Sequence, residues 1–285
     1  MRGAAGSRDA SLLPLPLHIG HGVDVGAWHL EPSVVAGAFI ALSFYVYGAS
    51  LLKLAIPPWR AACYFAGVAI IFLALTSPLD TAADRLLSMH MLQHVALTTL
   101  GPPLLLLGLT PGLLEPLLRP ALIRRVASKV THPVFAGTLF IVNMWFWHVP
   151  PIYGAALDHL PVHIAMHIAF MGSGILFWWP VVQPSPLTGR MGEGARLLYL
   201  FATGMPMGLQ ALLLFASNGV IYDYYETARP LWGISPKDDQ QVAGLIMGAL
   251  GEAASFTAIT LLFFRFLDHE GEAAPAAAPG QIDAR

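Results

Sequence analysis

The chain has 285 residues, of which 56% are hydrophobic and 11% charged, with a net charge of −2 and one cysteine, Cys63. Soluble domains carry about 25% charged residues, so this composition, with a mean hydropathy of +0.63, excludes a disordered chain and an ordinary soluble globule. The charge balance excludes a nucleic-acid partner. A lone cysteine excludes an intramolecular disulfide, a CxxC redox site and a thiolate metal cluster. What remains is an integral membrane protein, with the lipid bilayer as its surroundings.

Residues 1–32 read as an outer N-terminal segment. Its Leu12–Leu17 run is too short and proline-rich for a signal peptide. Seven apolar stretches follow, at 33–54, 59–77, 85–109, 133–152, 161–182, 196–216 and 240–266. Each approaches the ~20 residues that a spanning helix needs. The third contains Gly101-Pro102-Pro103 and should kink or break there, leaving Leu104–Leu109 as a separate short helix. The fourth ends at Pro150-Pro151. No barrel-type alternation is present. The expectation is an all-α bundle of seven transmembrane helices, one membrane domain over 33–267. The Ala-, Pro- and Gly-rich tail at 268–285 reads as disordered and cytoplasmic.

Orientation follows from Lys and Arg. Alternating loops place ten on one side: Lys53, Arg60, Arg119, Arg124, Arg125, Lys129, Arg190, Arg196, Arg265 and Arg285. Five fall on the other: Arg2, Arg8, Arg85, Arg229 and Lys237. The richer side is cytoplasmic, so the N-terminus lies outside and the C-terminus inside.

This topology collects nine of the eleven histidines in the outer half; His132 and His269 are the exceptions. His90 and His94 share a helix face, about 6 Å apart. His159, His163 and His167 repeat that spacing on the fifth span. Two such ladders at similar depth can face each other across the bundle, since imidazoles in hydrocarbon seek partners inside it. His148 ends the fourth span. Methionines flank the first ladder in Met89-His90-Met91, and Met205 and Met207 lie in the sixth span. Imidazole with thioether suits copper. The set read as candidate metal ligands is His90, His94, His163, His167, Met205, Met207, His148 and Glu252. Against it stand interhelical hydrogen bonding for the histidines and plain packing for the methionines. His159 and His148 also suit an interfacial position. Glu252 lies in the middle of the seventh span, where a carboxylate is functional by default, or else a neutral acid bonded to backbone. Asn143 and Gln210 read as helix–helix glue. Asp238, Asp239, Gln240 and Gln241 read as caps of the outer start of the seventh span, with a ligand role for Asp239 the minor alternative.

Enzyme templates fail. His90 and His94 lack the glutamate of HExxH, and GxSxG, P-loop and GxGxxG motifs are absent. The chain resembles the multi-span CtaG family of cytochrome c oxidase assembly factors. The resemblance rests on Met89-His90-Met91-Leu92-Gln93-His94 with Gly101-Pro102-Pro103-Leu104, and on Trp145-Phe146-Trp147-His148-Val149-Pro150-Pro151-Ile152-Tyr153. It continues in His163 and His167 with Phe177-Trp178-Trp179-Pro180. It ends in Trp232-Gly233-Ile234-Ser235-Pro236 through Asp239-Gln240-Gln241 to Met247. Family members often carry a bulky aromatic after this last motif, where Gly248 and Ala249 stand here. Glu252 is likewise no feature of the family.

The resemblance implies a non-enzymatic, bacterial inner-membrane (plasma-membrane) factor that matures the oxidase by delivering copper. Its partners would be oxidase subunits and a copper donor protein. Two rivals stand beside it. One is a haem- or quinone-binding redox protein, with a single haem held by one histidine from each of two spans. The other is a copper or proton transporter using Glu252.

Overall fold

A computed structural model describes residues 26–227 and 231–273. Regular structure among the described residues is entirely helical. Helices α1 (Pro32–Leu51) and α2 (Pro58–Thr76) each begin on proline, whose fixed φ and missing N–H suit a first turn. The short α3 (Pro78–Ala83) is capped by Ser77. Next come α4 (Leu87–Val95), a π-helical turn (Ala96–Leu100) and α5 (Gly101–Gly108), which stack end to end. Helices α6 (Pro111–Leu118) and α7 (Ala121–Val130) lead into α8 (Pro133–Trp147). Then follow α9 (Pro150–Asp158), α10 (Leu160–Val182), α11 (Glu193–Ala216) and α12 (Asp223–Thr227). The chain closes with α13 (Pro236–Leu245), a second π-turn (Ile246–Leu250) and α14 (Gly251–Ala273).

Among the described residues, six stretches are long and apolar enough to cross a membrane: Pro32–Leu51, Pro58–Thr76, Leu87–Gly108, Leu160–Val182, Glu193–Ala216 and Pro236–Asp268. The remaining expected span divides, because the proline pair starts a new helix at Pro150. That leaves α8 with 15 residues, about 22 Å of helix against a ~30 Å hydrocarbon core. Helix α14 also runs past the boundary set for the tail, through Ala273. The expected tail at 274–285 and segment 1–25, with Leu12–Leu17, His18 and His21, lie outside the described residues.

Of the kink or break expected at Gly101-Pro102-Pro103, the break does not occur: a π-turn at Ala96–Leu100 immediately precedes the run and leads straight into α5. Pro102 has no N–H to give the carbonyl four residues back, that of Thr98. The Trp178 indole donates to that oxygen at 3.2 Å. Gly174, one turn earlier on α10, makes this approach possible, since a Cβ there would lie 2.8 Å from the same oxygen. Helices α2 and α5 meet equally closely at Gly67 and Gly108, where added Cβ atoms would lie 2.8 Å from Leu105 N and 2.5 Å from Tyr64 Cβ. Small residues at such crossings are how membrane helices pack without a hydrophobic drive between them.

The Leu87–Gly108 stretch is the centre of the bundle: 67% of its apolar window is buried, against 6% for α1. A second layer of packing joins α8, α10 and α11. There Phe140 stacks on Phe177 at 4.4 Å and Tyr199 donates to the Phe177 carbonyl. Asn143 donates to Ser173 Oγ at 3.0 Å, and Gln210 to the Met144 carbonyl at 3.3 Å, the interhelical role read for both.

The capping expected of Asp238, Asp239 and Gln240 on their own helix falls to Ser235 instead, and Gln240 bonds Ile221 N and the Leu214 and Gly219 carbonyls. Ser235 caps α13, accepting from the Asp238 N–H and donating to its carboxylate. Asp239, 2% exposed, instead caps a different helix. Its Oδ2 accepts from Leu87 N at 2.6 Å, and its Oδ1 accepts from Ser88 N and Ser88 Oγ. The free N–H groups of α4's first turn and the positive end of its dipole both favour a carboxylate there.

Asp239→Ala should therefore destabilise the protein by about 2–4 kcal/mol, because buried donors lose a charged acceptor. Ser235→Ala, losing an ordinary cap, should cost about 1 kcal/mol. Thermal unfolding in detergent reads the difference, and equal losses would contradict this division of roles.

Candidate metal centre

Helix α4 points His90 and His94 into the bundle one turn apart, with ring centroids 4.4 Å from each other. Helix α10 brings His163 and His167 to meet them. The His90 ring stacks on His163 at 5.5 Å and lies 6.3 Å from His167, and His94 lies 5.9 Å from His167. The two ladders converge as their spacing predicted. One nitrogen from each of His90, His94 and His167 falls within 4.8 Å of the others, and His163 Nε2 lies 3.1 Å from His167 Nε2.

Hydrogen bonding assigns the His90 tautomer. The Tyr225 hydroxyl donates to the Ala83 carbonyl and sits 3.1 Å from both the Tyr153 hydroxyl and His90 Nδ1. Its proton is spent on Ala83, so its lone pairs accept from Tyr153 and from a protonated Nδ1. Burial pushes the Tyr225 phenol well above its ordinary value, which keeps that proton in place. The Nε2 lone pair of His90 then faces the cluster without a partner, and both His94 nitrogens are likewise unpartnered among the described residues. A buried polar atom left unpaired costs about 1–3 kcal/mol. A neutral imidazole has one lone pair, so His90 Nε2 and one His94 nitrogen offer unpartnered lone-pair donors that could hold a cation. A second residue that holds a ligating histidine by its other nitrogen is the usual companion of a metal site.

The other sequence-read candidates fall elsewhere. His148 closes α8, its Nδ1 donating to the Met144 carbonyl at 2.7 Å, with its ring 5.9 Å from His94. Met205 is 64% exposed on the outer surface of α11 and does not join the cluster. Met207 and Glu252 line a small central cavity shared with His94 and His148, where the Glu252 carboxylate lies against Gly204. His159 is exposed at the start of α10, and His29 is exposed beside Asp80, 3.8 Å away. Asp239 is committed to the α4 backbone. Tyr225 has no role in the sequence reading, where the Tyr222-Asp223-Tyr224-Tyr225 run was the available signal, and Tyr153 enters there only as the end of the Trp145–Tyr153 stretch.

A larger cavity of about 430 Å³ between α1, α2 and α10 reaches His163 and His167 from the side. Its walls are mostly apolar, and His29, Glu31 and Asp80 stand at one end. It provides a lateral approach to the cluster from the end of the bundle where α4 begins.

Residues 43–269 match the family described as cytochrome c oxidase caa3 assembly factor (Caa3_CtaG). Uncharacterized proteins of Mycobacterium bovis and Mycobacterium tuberculosis are each 25% identical over 271 residues, covering 88% of this chain and 40% of theirs. One of Mycobacterium leprae is 25% identical over 255 residues, covering 82% of this chain and 38% of its own. The chain thus spans about two fifths of the length of these curated relatives. No solved structure matches. The family match takes in both histidine ladders, the tyrosines behind them and the Asp239 cap, and the chain belongs to the cytochrome c oxidase caa3 assembly factor family.

Proposed function

We propose that the protein binds copper at His90, His94, His163 and His167 and delivers it to a cytochrome c oxidase during assembly, without turnover of a substrate of its own. Copper is the cargo. The observation that carries this reading is the convergence, within 4.8 Å, of histidine nitrogens from two helices, three of the cluster's nitrogens lacking any other partner. Neutral imidazoles suit copper in either common oxidation state. Rings packed at 4.4–6.3 Å favour an ion over a porphyrin between them. Oxidase subunits are the recipients in this reading, and a copper donor protein would load the site from outside the membrane.

The same proposal places the protein in a bacterial inner membrane with α8 as a seventh crossing. The N-terminus lies outside and the C-terminus in the cytoplasm. The ten-to-five division of Lys and Arg supports it. A reporter fused after Arg265 should read as cytoplasmic; a reporter read from outside would invert the sidedness of the histidine cluster.

Copper per purified protein tests the site. His94→Ala and His167→Ala should each lose copper while the protein stays in the membrane, and His132→Ala, an exposed histidine away from the cluster, should keep it. Tyr225→Phe should weaken copper binding about 10–100-fold by removing the acceptor that fixes His90. Full occupancy in His94→Ala and His167→Ala would mean that the ladders are structural.

In cells without a paralogue, deletion should lower the copper content and activity of the oxidase while its polypeptides are still made. Normal copper and activity in the deletion strain would refute the delivery role.

A further inference from the structure

One contact beside the cluster has no hydrogen-bonding explanation. His148 Nε2 lies 3.4 Å from Met91 Sδ. The His148 proton is on Nδ1, where it bonds the Met144 carbonyl, so Nε2 presents a lone pair. A thioether sulfur carries no proton to give it. Two lone-pair donors, an imidazole nitrogen and a soft thioether sulfur, therefore face each other in the interior, with Met91 fully buried.

Both residues line the central cavity. That cavity holds about 40 Å³ and is lined also by Met144, Met207 and Met247. The volume exceeds the ~10–15 Å³ that one small occupant requires. His94 forms part of its wall, buried and with both nitrogens unpartnered. His94 is equidistant from the two sides, its ring 5.9 Å from His167 in the cluster and 5.9 Å from His148 at the cavity.

We infer that Met91 and His148 form a second site, specific for a soft monovalent cation of the Cu(I) class, and that His94 links it to the histidine cluster. With metal–nitrogen and metal–sulfur lengths of about 2.0 and 2.3 Å, a 3.4 Å separation subtends about 100° at the ion, in the tetrahedral range. Thioether donors select Cu(I), whereas an all-imidazole cluster also accepts divalent ions. The two sites are two stations of different softness, and an ion moving from the cluster to the cavity passes from imidazole to thioether ligands. The direction of that movement rests on the delivery reading; the existence of the second site does not.

Silver(I), which binds as Cu(I) does and does not change oxidation state, is the probe, with Cu(II) as the comparison. The full chain in nanodiscs should bind two Ag(I), with a metal–sulfur shell in its X-ray absorption spectrum, and one Cu(II). Met91→Leu, which conserves volume, should bind one Ag(I), lose the sulfur shell and keep its Cu(II). His148→Gln should do the same. Retained Cu(II) binding certifies that both variants are folded. His167→Ala should lose Cu(II) but keep one Ag(I) and the sulfur shell. Two Ag(I) with an intact sulfur shell in Met91→Leu would overturn the second site, as would a single Ag(I) in the wild type. Cu(II) binding undiminished in His167→Ala would instead overturn the histidine cluster alone.

Discussion

Everything at the candidate centre depends on where α4 begins. That helix starts inside the protein, and a buried helix start exposes backbone donors that water cannot reach. Asp239, brought from 151 residues away, satisfies Leu87 and Ser88 together. The contact locks the register of α4 against α13. His90 lies three residues beyond Leu87 and His94 one turn further, so the same contact sets their depth and rotation. A carboxylate serves better than a neutral cap because it also meets the helix dipole.

The middle of the same rod, just beyond α4, is held differently. Pro102 takes away a donor, the π-turn absorbs the mismatch, and Trp178 replaces the lost bond from α10. Helix α10 is thereby tied to the central rod along the same side that carries His163 and His167. The two ladders meet because α4 is pinned at its start by α13 and just past its end, at Thr98, by α10. Asn143, Gln93 and Gln240 spend their amide donors on neighbouring segments. Unpartnered buried atoms among the described residues include the amide oxygens of Gln93 and Gln210, but His90 and His94 alone bring three such nitrogens together at one place.

The cavity beside the cluster shows why helix parity matters. Met205 and Met207 are two residues apart on α11, about 200° around the helix. One is consequently exposed on the outer surface while the other lines the cavity. Sequence reading grouped them because each suits copper chemically. It passed over Met91 as a ligand, although Met91 lies between two histidines it had singled out. The choice between these methionines turns on which face of each helix is buried, and a helix apolar all round does not reveal that.

The sequence by itself determined the helical membrane class, five of the spans to within a few residues, and the two histidine ladders. These follow from local rules: apolar length against bilayer thickness, and the spacing of four that puts residues on one face. Tertiary structure alone decided between the kink and the break expected at Gly101-Pro102-Pro103, because the donor that replaces the lost proline N–H comes from another helix. It alone assigned Asp239 to α4 and not to its own helix, since both roles obey the same dipole rule and only packing chooses between them. It also turned the ladders towards each other and set Tyr225 behind His90. Those outcomes require groups up to 152 residues apart to come within hydrogen-bonding distance, and no local rule of spacing or propensity encodes such a meeting.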